Sequence, residues 1–108
     1  MIKECDVIIT ETAQHDLESI WEYISKDSMG NASNFLDQLE KMMYSLEYFP
    51  ERGNIIPESR YLHTTRYRHL IYKKYRIVYK IDVKNVCILR IFHGSKLLDM
   101  ASLESEIE

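Results

Sequence analysis

Basic and aromatic side chains interleave through one stretch of this sequence: Arg66, Tyr67, Arg68, His69, Tyr72, Lys73, Lys74, Tyr75, Arg76, Tyr79 and Lys80. Arg and Lys neutralise phosphate, and Tyr or His stack on bases, so the pattern has the chemistry of an anion-binding surface. A plainer explanation is equally concrete. Tyr favours strands, and Lys and Arg solubilise an exposed strand face and protect edges. Strand alternation puts Arg66 and Arg68 on one face, and Arg76 and Lys80 on one face of the next strand. A register that aligned them would make a cationic stripe. With Arg90, these four are the candidate contact residues for a partner or target. His93 is the candidate titrating group. It closes a strand, close in sequence to Arg90 and Lys96. A nearby cation favours the neutral imidazole that a general base needs. Its plainer role is to hydrogen-bond a loop while Gly94 permits a sharp exit. His15, His63 and His69 have no metal spacing. Asp16, Glu18 and Glu22 lie mostly off the apolar stripe and read as solvated charge. No Ser-His-Asp or Cys-His arrangement is defensible from position, and no cofactor is expected.

The elements that must position these residues follow from periodicity. Asp6 to Thr10 is a short β-branched strand. Ala13, Leu17, Ile20, Trp21 and Ile24 then make one face of a helix, with Thr12 as the expected N-cap. Ser28-Met29-Gly30-Asn31 breaks the pattern, with Gly30 suited to a left-handed residue and Asn31 to a cap. A second helix is expected from about Ala32 to Tyr48, its apolar face being Ala32, Phe35, Leu36, Leu39, Met42, Met43 and Leu46. Pro50 and Gly53 end it. So short a break makes the two helices an antiparallel hairpin. Residues 50–65 form a long connection, either functional or loosely held. Arg66 to Tyr72, Tyr75 to Ile81 and Val86 to Phe92 are strands, joined by turns at Lys73-Lys74 and Asp82-Val83-Lys84-Asn85. Leu97 to Ile107 forms a last short helix or stays loose. The order β-α-α-β-β-β makes an α+β fold, a helical hairpin packed on one face of a small antiparallel sheet.

The chain has 108 residues, room for one domain. Charge is divided: residues 1–59 carry 4 bases and 12 acids, residues 60–96 carry 10 bases and 1 acid, and residues 97–108 carry 4 acids. A basic middle block is charged like a binder of something anionic, unless the acidic and basic faces simply pair with each other. No apolar run approaches the roughly 20 residues of a membrane span. The N-terminus has no apolar signal core, so secretion is disfavoured. Cys5 and Cys87, far apart and without metal spacing, read as free thiols in a reducing cytosol. Three glycines with no Gly-rich loop exclude a P-loop or a dinucleotide fingerprint.

An ordered set of segments carries a resemblance. Thr10-Glu11-Thr12-Ala13, Asp16-Leu17, Ile20-Trp21-Glu22-Tyr23-Ile24, Ala32, Phe35, Leu39, Leu46 and Pro50-Glu51-Arg52-Gly53 resemble the N-terminal half of the RelE/ParE toxin superfamily. Tyr67-Arg68-His69-Leu70, Tyr75-Arg76-Ile77-Val78-Tyr79 and Ile88-Leu89-Arg90-Ile91-Phe92-His93-Gly94 continue it, over roughly residues 6–96. The resemblance implies a bacterial or archaeal cytoplasmic toxin, silenced by a small cognate antitoxin encoded beside it. RelE-like members cut messenger RNA on the ribosome, and ParE-like members poison DNA gyrase. On the RelE-like side, Arg76 falls on the strand arginine of the nucleases and Lys96 near a second catalytic arginine. His93 would then be the acid-base group. The catalytic tyrosine expected a few residues later is missing from Leu97 to Leu103. The long hairpin, Arg68-His69-Leu70 and the His93-Gly94 ending look more like the ParE side. The expectation is therefore a gyrase inhibitor. A ribosome-dependent endoribonuclease and a decayed toxin that only binds its antitoxin are the alternatives. The oligomeric state, a homodimer included, stays open.

Overall fold

A computed structural model describes residues 2–95 of the chain. Strand β1 (Asp6–Ile9) leads into helices α1 (Glu11–Ser25) and α2 (Met29–Tyr44), and a 3-10 turn (Ser45–Glu47) extends α2. The connection holds a two-residue strand β2 (Asn54–Ile55) and one helical turn α3 (Ser59–Leu62). Strands β3 (Tyr67–Tyr72), β4 (Tyr75–Asp82) and β5 (Asn85–His93) follow. The sheet order is β1-β5-β4-β3-β2. The α+β hairpin-on-sheet arrangement and the antiparallel β3-β4-β5 meander are as expected. Two features extend it. β1 pairs in parallel with β5, and β2 pairs antiparallel with β3. The segment 97–108 and Lys96 lie outside the described residues.

Capping differs from the expectation by a few residues. Thr10, not Thr12, caps α1: its Oγ1 accepts from Ala13 N–H and donates to the Ile88 carbonyl at 2.7 Å. One hydroxyl thus satisfies a helix start and ties it to the sheet. Ser28, not Asn31, caps α2 by accepting from Asn31 N–H at 3.1 Å. Gly30 sits in the first turn of α2, and no glycine has a positive φ.

The main core lies between the hairpin and one sheet face. Ala13, Ile20, Leu39, Met43 and Leu46 meet Leu70, Ile77, Tyr79, Val86, Ile88 and Ile91. Leu17, Ile24 and Phe35 pack against them while partly exposed, and Trp21 is half-buried. A fully buried aliphatic side chain of this kind contributes about 1.5–3 kcal/mol. The outer sheet face is also covered. Ile56, Tyr67, Val78, Leu89 and Phe92 form a second cluster, with Leu62 packed on it. The 50–65 connection therefore roofs the outer face.

A register shift places Val78 opposite Arg90 but Tyr79 opposite Ile88, leaving Leu89 as the extra residue of a bulge. β1 is shorter than β5, so it leaves part of the β5 edge uncovered. Asp16 of α1 takes over there, accepting Ile91 N–H at 2.9 Å. Both meander turns are two residues long, and each opens on a residue with positive φ: Lys73 at 53° and Val83 at 55°.

Candidate functional site

The densest polar cluster lies on the outer face, where β4 alternation turns Arg76 away from the hairpin. Its guanidinium grips Glu58 through both terminal nitrogens, at 2.6 and 2.8 Å, and its Nε donates to His69 Nδ1 at 3.0 Å. The guanidinium carbon stands 5.3 Å from the Phe92 ring centroid, and the residue is only 8% exposed. A bidentate carboxylate matches the guanidinium fork, so the cation is fully engaged. Because His69 Nδ1 accepts, this histidine is the neutral tautomer with its proton on Nε2. Burial pushes its pKa down, and the Arg76 charge adds to that. Hydrogen bonds from Arg76 hold the Glu58 carboxyl below its ordinary range, against a smaller opposing effect of burial.

The other expected residues divide between the two faces. Lys80 shares the outer face with Arg76, opposite Tyr67 and Cys87, and is 3% exposed. Arg66 lies just before β3, its guanidinium 5.6 Å from the Tyr67 ring centroid. Arg68 pairs with Tyr79 on the hairpin-facing side and donates to the Gly53 carbonyl at 2.8 Å. Arg68 therefore does not join Arg76 and Lys80 in one stripe, whereas Arg66 lies over Tyr67, the neighbour of Lys80 on the outer face. Arg90 reaches α1, where its Nε and Nη2 meet Asp16 at 2.9 and 3.2 Å. His93 is on the hairpin side, its ring 5.5 Å from Tyr75 and edge-on to it. Its Nδ1 accepts Ser95 N–H at 3.2 Å. Arg76 and His93 are thus turned to opposite faces of the sheet.

Several residues organise this region in roles that the local sequence does not mark. Glu58 sits in the connection, with nothing local to mark it as the Arg76 partner. Tyr79 Oη accepts Gly53 N–H at 2.9 Å and donates to the Pro50 carbonyl at 2.7 Å. Gly53 has no room for a side chain: a Cβ there would stand 2.6 Å from the His69 carbonyl and 2.7 Å from Tyr79 Oη. The Pro50-Glu51-Arg52-Gly53 motif is therefore the loop that Tyr79 and Arg68 clamp. Burial pushes the Cys5 and Cys87 thiols up, away from reactive thiolate. Among the described residues, no group of three His, Cys, Asp or Glu could hold a metal. No helix among them is long and apolar enough to cross a membrane.

Known proteins share this fold. The chain is similar to a solved chromosomal ParDE toxin-antitoxin system from P. aeruginosa, at 18% identity and a TM-score of 0.68. That match covers 83% of this chain and 96% of the other. It is also similar to the toxin-antitoxin complex RelBE2 from Mycobacterium tuberculosis, at 22% identity and a TM-score of 0.62. There the coverage is 85% of this chain and 99% of the other. At such identities the likeness establishes the fold. No curated protein sequence matches the chain significantly. The family described as ParE toxin of type II toxin-antitoxin system, parDE, matches residues 7–98. That match spans the hairpin, the clamped loop and the whole meander, and the chain belongs to the ParE toxin family of type II toxin-antitoxin systems.

Proposed function

We propose that this toxin arrests growth by binding and inhibiting DNA gyrase in the cytoplasm, and that a cognate antitoxin neutralises it. The supporting observation is the state of the residues that RNA cleavage would require. A nuclease needs a cation on the scissile phosphate and an acid-base group within reach of the ribose 2′-hydroxyl. Arg76 is 8% exposed with both terminal nitrogens on Glu58, and His93 faces the other side of the sheet. Inhibition by binding makes no such demand, because its energy is spread over a contact surface with a few anchors.

The antitoxin should supply an acidic segment that meets the basic block of residues 60–96 and folds as it binds. Arg66 and the surface around Lys80, Arg76 and Arg90 are the contacts it would use. The experiment is induction of His93→Gln. This variant keeps much of the side-chain volume but removes the imidazole. Growth arrest at wild-type strength is expected. Its loss, with the fold intact, would favour ribosome-dependent cleavage of messenger RNA by Arg76, His93 and Lys96.

A further inference from the structure

Exposed apolar side chains gather at the end of the molecule where β4 turns into β5. They come from two separate segments: Phe49 after the 3-10 turn, and Val83 at the tip of the β4–β5 loop. Phe49 is 54% exposed and Val83 89% exposed. The N-terminal segment ties these places together. Glu4 and Cys5 N–H donate to the Glu47 carbonyl at 2.8 and 3.1 Å, and Asp6 N–H donates to the Lys84 carbonyl at 2.9 Å. Beside them opens a cavity of about 490 Å³ lined by Glu4, Phe49, Pro50, Glu51 and Arg52.

Two features here are not explained by folding. Val83 is β-branched yet holds φ at 55°, in a loop where glycine or asparagine would fit without strain. Nothing buries it in return. Strain of this kind persists at sites of function more often than elsewhere. The second feature is charge. Glu4 and Glu51 line the cavity, and neither has an ion-pair partner among the described residues. Arg52, the one cation on the lining among the described residues, is drawn onto the Ser45 hydroxyl. An aromatic wall with two unpaired carboxylates suits a cation on an aliphatic stem.

We infer that this end of the molecule docks the growth-arrest target, receiving a segment whose Lys or Arg enters the cavity while apolar neighbours cover Phe49 and Val83. The inference rests on the reading of toxicity as protein binding, and it names the partner's chemistry at the contact. An acidic antitoxin and a basic target segment then use different regions of a chain whose charge is already divided.

The test compares Val83→Gly, Glu51→Lys and Tyr61→Ala with the wild type. Val83→Gly removes the exposed isopropyl group and the backbone strain together, so its melting temperature should equal or exceed that of the wild type. Glu51→Lys reverses an exposed charge on the cavity wall. Tyr61→Ala removes an apolar group 81% exposed on α3, the helical turn after Glu58, which pairs with Arg76 on the outer face. Each purified protein is titrated into a DNA gyrase supercoiling assay, and each is induced in cells for growth arrest. Val83→Gly and Glu51→Lys should need at least about tenfold more protein for half-inhibition. Tyr61→Ala should stay within about twofold of the wild type. Wild-type potency in Val83→Gly and Glu51→Lys overturns the inference, as does a larger loss in Tyr61→Ala. If the wild type arrests growth but leaves gyrase active, the gyrase reading fails alone, and growth arrest scores the variants by the same thresholds. If the wild type arrests nothing, both fall.

Discussion

Tyr79 brings one hydroxyl to a buried site and satisfies two backbone groups with it, Gly53 N–H and the Pro50 carbonyl. Tyr79→Phe leaves both without that partner. The expected loss is about 1–3 kcal/mol, read by urea denaturation. The Arg76, Glu58 and His69 cluster makes a second prediction, in pH. The folded pKa of His69 is depressed, so its contribution to stability is present above 6.5, its ordinary value, and is lost as pH falls through the folded pKa. Glu58 is also depressed, so its contribution is lost on further acidification below 4.5. Both losses have the same sign: protonated His69 confronts the Arg76 guanidinium, and neutral Glu58 no longer grips it. Thermal melts should fall as pH drops below about 6.5, and His69→Gln should flatten the upper part of that slope. A melting temperature independent of pH across this range would contradict the cluster's geometry. Of these residues, Arg76 was legible as a basic strand residue sharing a face with Lys80. Its partner was not, because Glu58 lies 18 positions away in a loop and only the folded connection brings it near.

At the scale of elements, the hairpin was legible because its apolar residues recur at three and four positions, and the meander because its strands alternate between tight turns. Leu39 is fully buried at the centre of α2, and Leu39→Ala should cost about 2–5 kcal/mol in chemical denaturation. An effect near zero would mean that the hairpin does not pack through this face. Trp21 was expected in the same core and is half-buried instead. Ala13, Leu17, Ile20 and Ile24 hold the stripe, and Trp21 sits one residue round from Ile20, where a large ring keeps one edge in water. The parallel pairing of β1 left no local trace, since a four-residue strand reads alike in either direction. β2 and α3 were hidden within the long connection, because their order comes from Tyr79, Arg68 and the outer apolar cluster rather than from propensity.

At the scale of the molecule, the division of charge was plain in the sequence, but its consequence was not. Two of the candidate arginines spend their charge internally, Arg76 on Glu58 and Arg90 on Asp16, the latter across 74 positions. Composition therefore overstates the cationic surface free to meet RNA, and the loss bears on mechanism. Inhibition by docking survives it, whereas phosphate clamping at Arg76 would first have to displace Glu58. The most direct test is brief induction of the wild-type protein in cells, following chromosomal DNA breaks and messenger RNA ends in the same culture. Gyrase inhibition predicts prompt DNA breaks with intact transcripts. Transcript cuts positioned at codons, with undamaged DNA, would contradict it.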